Sequence, residues 1–299
     1  MTPTQFSAKT RNVARETGLN PQLVQRHYMM DKFLEKIAES SYQDDFILKG
    51  GFLLGSKYGI STRSTIDIDT TIRRFKATEE NISKVFNDLV KEPTKEGIKF
   101  EIKSISETRE ADYHPGFQVK LLGHLENTRV PFKMDLTTGD SILPEVTKHK
   151  HKLMFEDKTI EIPAYPTEQI IAEKLSATLS FGVDNSRAKD FYDLYTIPKL
   201  EAIDPKSLYK SVRNTFSKRG NLEKLEAYYD RSMESIANST ELKDRWEKYQ
   251  KENPFATDIA YDETVDSIKQ ILNECIEQEK ISDQRKKQHQ FNKNREMER

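Results

Sequence analysis

Leu48-Lys49-Gly50-Gly51-Phe52, followed after a short helical stretch by Arg63-Ser64-Thr65-Ile66-Asp67-Ile68-Asp69, is the segment on which the reading of this chain turns. A short apolar strand, Phe46-Ile-Leu-Lys, runs straight into two glycines. Without Cβ atoms these let the backbone come close to a phosphate, and their amides open a helix whose N-terminus favours anions. Asp67 and Asp69 lie two apart in a stretch of period-two alternation, so a strand there projects both carboxylates from one face. Carboxylates so placed repel each other unless a cation lies between them. Mg²⁺ accepts one or two carboxylates together with substrate phosphates, which fits this pattern.

A third carboxylate, Asp135, ends the strand-like run Val130-Pro-Phe-Lys-Met-Asp-Leu. It can complete a two-metal site, in which one ion activates an attacking hydroxyl and the other neutralises a triphosphate and its leaving pyrophosphate. Asp140, a few residues on in Thr137-Thr-Gly-Asp140, reads as a turn or cap residue. Further along, Glu173-Lys174-Leu and Arg187-Ala-Lys-Asp190-Phe-Tyr-Asp193-Leu194 fall in helical patterns. Taken alone, Lys174 reads as a surface lysine laid along an apolar stripe, and Arg187–Asp190 as an ordinary helical ion pair.

Around these motifs the chain divides by periodicity. Helical spacing of Leu23, Val24, Tyr28, Phe33, Leu34 and Ile37 fills the start. Ala14–Arg26 resembles a helix-turn-helix with Gly18 at the turn, but reads as a helix pair packing on the next domain, because a DNA reader needs a denser basic second helix. From Phe46 to about Pro163 strand-like alternation dominates at Ile66–Ile72, Phe100–Ile105, Phe117–Leu122, Val130–Leu136 and Ile160–Ile162. A helix fits between Thr78 and Lys91. Beyond Pro166 the spacing predicts helices around Ile170–Leu179, Asp190–Ile197, Pro205–Phe216, Leu222–Ile236, Glu241–Lys251 and Ile259–Ile281. We therefore expect an α+β fold with a mixed sheet, preceded by N-terminal helices and followed by a helical bundle. The expected domains are residues 1–163 and 164–299.

Composition narrows the function classes. The 299 residues carry 48 Lys plus Arg against 49 Asp plus Glu, which excludes a uniformly basic nucleic-acid coat and an acidic disordered chain. Any affinity for nucleic acid must come from local patches. The candidates are Arg73-Arg74, Lys148-His-Lys-His-Lys152, Lys218-Arg219 and the tail Lys280–Arg299. The His149/His151 pair sits in an expected turn with neither a third His nor a Cys, which argues against zinc. Cys275 is the single cysteine, so an intramolecular disulfide framework is excluded. Trp246 reads as a helix-packing anchor rather than a base-stacking platform. The N-terminus lacks the apolar core of a signal peptide and no run approaches the ~18 apolar residues of a membrane span, so a cytoplasmic protein is expected. A monomer is expected, since no long heptad seam appears.

In order, Gly-Gly, Arg-x-Thr-x-Asp-x-Asp, Lys-x-Asp, Glu-Lys-Leu and Arg-x-Lys-Asp-x-x-Asp-Leu resemble the AbiEii/AbiGii toxin family, nucleotidyltransferase-like proteins of abortive-infection and toxin–antitoxin systems, to which the MenT toxins are related. The resemblance implies a polymerase-β-type nucleotidyltransferase domain. It assigns Gly50 and Gly51 to the phosphate cradle, with Arg63, Ser64, Thr65 and Arg187 as further nucleotide-binding candidates. Asp67, Asp69 and Asp135 are the implied catalytic and metal-binding carboxylates, for Mg²⁺ or Mn²⁺. Lys174 is implied to grip the triphosphate, and Asp190 to be the essential aspartate of the helical motif, the helical domain thereby contributing to the active site. The implied activity is transfer of a nucleoside monophosphate from an NTP to an RNA hydroxyl, the tRNA 3′ end in the MenT relatives. It would block translation in a bacterial cytoplasm, countered by a co-encoded antitoxin that need not bind the toxin. A protein or small-molecule acceptor, a silent NTP-binding module and a DNA-binding regulator are the alternatives.

Overall fold

Val130, Phe132, Met134 and Leu136 alternate with Pro131, Lys133, Asp135 and Thr137, and the first set is buried while the second is not. A strand resolves such a pattern by sending the two sets to opposite faces. The computed structural model, which describes residues 1–108 and 116–297, builds a sheet on this principle. Helices α1 (Pro3–Thr17) and α2 (Pro21–Ala38) precede strand β1 (Phe46–Lys49), helix α3 (Gly50–Tyr58), strand β2 (Asp67–Ile72) and helix α4 (Glu79–Val90). Strands β3 (Lys99–Thr108), β4 (Gly116–Leu125), β5 (Thr128–Thr137), β6 (Thr147–Lys152) and β7 (Thr159–Ala164) follow. The strands lie in the order β3-β4-β5-β2-β1-β7-β6. β2 runs parallel to β5 and antiparallel to β1, and β1 runs parallel to β7, so the sheet is mixed.

The N-terminal helices are set by local signals. Thr2 and Gln5 form a capping box at the start of α1, Gly18 closes it at φ 72°, and Asn20 caps α2 just before Pro21. On the apolar face of the sheet the Phe33 ring of α2 meets Phe86 of α4, Phe100 of β3 and Phe132 of β5, with centroids 5.1–5.9 Å apart. A lysine is among the polar side chains buried with these helices. Lys32 is wholly inaccessible, its ammonium 2.6 Å from Glu35, 2.8 Å from Glu96 and 2.6 Å from Glu156. Three carboxylates around one ammonium satisfy a charge that would otherwise be expensive to bury.

The expected turn at Lys148–Lys152 is instead the strand β6, paired antiparallel with β7. Its own alternation explains this: His149 and His151 face inward, while Lys148, Lys150 and Lys152 are exposed. The Ser56 hydroxyl of α3 lies 2.6 Å from His149 Nε2 and 2.6 Å from His151 Nδ1, and His151 Nε2 lies 3.0 Å from Asp31 of α2. These bonds tie α3 to both β6 and α2.

The helical part comprises α5 (Thr167–Phe181), α6 (Ala188–Leu200), α7 (Pro205–Lys218), α8 (Leu225–Asn238), α9 (Thr240–Glu252) and α10 (Tyr261–Met297). The chain separates into two compact units, Met1–Asp140 with Glu145–Tyr165 and Ser141–Pro144 with Pro166–Arg299. Pro163, where the sequence suggests a boundary, lies inside β7. Trp246 is buried and donates from Nε1 to the Ile259 carbonyl at 2.9 Å, the packing role expected of it. The last helix runs well past Ile281, because Lys and Gln propagate a helix that needs no buried face. Residues 298 and 299 of the basic tail lie outside the described residues. Among the described residues no helix is long and apolar enough to cross a membrane.

Burial holds His27 and His149 neutral, lowering each pKa from 6.5 to about 4. The unfolded chain therefore takes up protons first as the pH falls. The stability these rings contribute is complete above about pH 6.5 and is lost progressively toward pH 4. A thermal midpoint measured across pH 7 to 4.5 is expected to fall, with a shallower slope in a His27→Gln/His149→Gln variant.

Candidate active site

The register of β2 decides which side chains meet. Against β5, Asp67 pairs with Lys133 and Asp69 with Asp135; against β1, Asp69 pairs with Lys49. Residues paired across strands share a face. Asp67, Asp69 and Asp135 thus converge, each offering a carboxylate oxygen within 4.8 Å of the other two. Lys133 stands among them, its ammonium 3.4 Å from Asp67 and 3.0 Å from Asp135. Burial would lower its pKa, but Asp135 and Asp67 raise it above the ordinary lysine value, so it is charged. On β4, Gln118 donates to Asp135 Oδ1 at 2.8 Å and fixes that carboxylate from its other side.

Gly50 begins α3 with φ 66°, a left-handed conformation that side chains rarely adopt. A Cβ there would lie 2.1 Å from Asp69 Oδ2, so only glycine lets the cradle close on the carboxylate. Gly51 serves a different contact. Its missing Cβ leaves room for the Arg63 guanidinium and the Thr65 side chain, both 3.1 Å from where that atom would be. Arg63 and Ser64 are buried, and Arg63 Nη1 donates to the Ser64 carbonyl. Thr65 donates from Oγ1 to Asp67 Oδ1 at 2.5 Å, and its amide donates to His27 Nε2 at 3.1 Å. Kept neutral by burial and stacked on Phe52, His27 can accept that bond. It is a positioning residue that nothing in its local sequence announces.

Asp140 is not the turn or cap residue expected. Its Oδ2 accepts from Lys49 at 2.8 Å, Thr71 at 2.5 Å, Thr137 at 2.9 Å and the Tyr165 hydroxyl at 2.7 Å. Burial alone would raise its pKa; the Lys49 ammonium and these donors hold it well below the usual carboxylate range. The chain leaving β5 turns back under the strand ends, where three hydroxyls and an ammonium already converge.

In the helical unit, Lys174 of α5 is mostly buried rather than laid along the surface. Its ammonium lies 2.8 Å from Asp190 and 2.6 Å from Asp193. The two aspartates are three apart on α6 and so share its face. Arg187 does not pair with Asp190 as its spacing suggests. It occupies the N-cap position, outside the helix, with its amide donating to Asn185 Oδ1 at 2.8 Å and its side chain exposed. Of the basic patches, Arg74 is bound to Asp45 at 2.8 Å and Asp44 at 3.4 Å, and Arg219 donates to Ser176 at 3.1 Å. Lys148, Lys150 and Lys152 remain at the surface.

The donor set of Asp67, Asp69 and Asp135 suits a hard divalent cation. It consists of carboxylate oxygens alone, close enough to share one ion, and offers none of the sulfur or imidazole ligands that softer metals select.

A sheet carrying three clustered carboxylates beside a glycine turn that opens a helix is the framework of a nucleotidyltransferase. The chain belongs to the family described as "Nucleotidyl transferase AbiEii toxin, Type IV TA system", whose model matches residues 32–274. It is also similar to a solved structure described as "putative nucleotidyltransferase from H. pylori", at 16% identity over 88% of this chain and 99% of that one, with a TM-score of 0.47. JHP933 from Helicobacter pylori gives 16% identity over 93% and 99%, also at 0.47. No curated protein matches the chain.

Two substitutions test this geometry. Gly50→Ala is expected to destabilise the fold by roughly 1–2 kcal/mol from the left-handed backbone alone, read from chemical denaturation, before the clash with Asp69 is added. Asp140→Asn removes a carboxylate charge that the part-buried Lys49 ammonium and three hydroxyls bond, and is expected to cost about 2 kcal/mol at neutral pH. Because the native Asp140 carboxyl is depressed below its ordinary 3.8, the difference from wild type should persist above that pH and shrink as the pH falls beneath it.

Proposed function

We propose that this chain is a nucleotidyltransferase toxin that moves a nucleoside monophosphate from an NTP onto a hydroxyl of RNA, the 3′ end of tRNA. The observation that carries the reading is the convergence of Asp67, Asp69 and Asp135 within 4.8 Å on the sheet face next to Gly50. In this reading the three carboxylates hold Mg²⁺, or Mn²⁺ in its place. Such an ion, when bound, neutralises polyphosphate charge and lowers the pKa of an acceptor hydroxyl.

The chain's own groups supply the rest. Gly50 and Gly51 offer backbone amides at the N-terminus of α3 to the phosphates, and Arg63 and Thr65 shape the wall behind them. Asp67 or Asp135 takes the proton of the attacking 3′-hydroxyl. The new bond joins that oxygen to the α-phosphorus, and the bond to the bridging oxygen breaks as pyrophosphate leaves with its electron pair. Lys174 enters through the family's helical motif as the group that grips the triphosphate, held ready by Asp190 and Asp193. Exposed lysines such as Lys148 and Lys150 are suited to a phosphate backbone even though the whole chain is neutral. Modified tRNA cannot be aminoacylated, so growth stops in the cytoplasm where the toxin acts. The consequence is abortive infection, held in check by a co-encoded antitoxin that does not need to bind the toxin.

Incubation of each α-labelled NTP with Mg²⁺ and total bacterial tRNA tests the reading. Label is expected in tRNA with wild type, and a loss of at least about 10³-fold with Asp67→Ala or Lys174→Ala. Label that enters protein or small molecules instead would move the acceptor. Equal transfer by wild type and Asp67→Ala would overturn the assignment.

A further inference from the structure

Two groups of three carboxylates lie close enough to hold a metal ion among the described residues, and the fold meets each with a lysine. At Glu35, Glu96 and Glu156, Lys32 is inaccessible and its ammonium is within 2.8 Å of all three. That group is closed. At Asp67, Asp69 and Asp135 the lysine is Lys133, and its situation differs in two respects. Its contacts are longer, 3.0 Å to Asp135 and 3.4 Å to Asp67, and 31% of its side chain is exposed. It also sits directly across the strand pair from Asp67, two residues before Asp135 on the same face, so its stem need not move for its head to swing.

An ammonium and a divalent cation cannot both occupy the space between two carboxylates. Each is attracted there by the same charge and each repels the other. A long, half-exposed lysine gives way at little cost, because water takes up its charge as it leaves.

Building on the nucleotidyltransferase reading above, we infer that Lys133 is the resident counter-ion of the carboxylate centre, yielding its place between Asp67 and Asp135 when those residues take up a divalent cation. Lys133 thereby weakens the metal affinity of the nucleotide-free protein and keeps the clustered carboxylates tolerable while the centre is empty of metal. Displaced, its ammonium stays on the same sheet face, where a triphosphate is to be met.

The opposite role, a lysine that merely braces the strands, predicts the opposite result. The test is Mn²⁺ binding to the full chain without nucleotide, followed by the electron paramagnetic resonance signal of free Mn²⁺. Wild type, Lys133→Gln, Lys133→Arg and Asp67→Asn are compared, each checked for an unchanged circular dichroism spectrum. Lys133→Gln is expected to bind Mn²⁺ about tenfold or more tightly than wild type, since a competing charge has gone. Lys133→Arg should stay near wild type, and Asp67→Asn should lose binding. Unchanged or weaker binding by Lys133→Gln would overturn the inference. Absence of Mn²⁺ binding by wild type and Lys133→Gln alike would overturn it too. If labelled-nucleotide transfer persisted in that case, only the exchange would fall; if transfer were also absent, the nucleotidyltransferase reading would fall with it.

Discussion

The parallel pairing of β2 with β5 is the constraint from which the site follows. Slipping β2 by a single residue would send Asp67 and Asp69 to the apolar face, among Phe33, Phe86 and Phe132, and slipping β5 would send Asp135 there. The register is held by packing on that side. Ile68 and Met134 are buried beneath α2 and α4, and only one alignment buries them while leaving their neighbours to the opposite face. Hydrophobic burial thus sets the spacing of the carboxylates. Their mutual repulsion works against the register and is moderated by Lys133.

Around this pair the remaining elements act as supports. α3 begins at the sheet and brings its amides beside Asp69 because Gly50 has no side chain. The helix is then held at Ser56 by the two inward histidines of β6, and its neighbour Thr65 by His27. Lys49, at the end of β1 and in the same row as Asp69, donates to Asp140 and Thr137 and lies 5.3 Å from the centre of the Tyr165 ring.

Much of this was legible from residue pattern alone. Alternation marked five of the seven strands by their apolar sets, and the glycine pair and Asp-x-Asp were recognisable by chemistry. The mixed sheet with helices at both ends agrees with that reading. What escaped it shares a physical cause. Asp140, Lys32 and His27 are polar residues whose partners lie far along the chain, and local spacing carries no trace of a bond to Tyr165, Glu156 or Thr65. Polar residues written in series read as surface. β6 was hidden similarly: five consecutive basic residues look solvated until His149 and His151 are seen as the inward half of an alternation. Arg187 shows the converse error, since helical spacing implied a pairing with Asp190 that a residue outside the helix does not make.

β6 is an edge strand, at the opposite end of the sheet from β3, and a strand so placed offers unpaired backbone groups to any strand that approaches it. Here the side chains flanking those groups are Lys148, Lys150 and Lys152. A second copy aligning its own β6 alongside would bring like charges into direct opposition. At this border the sheet is thereby discouraged from continuing through β6 into a second copy of itself.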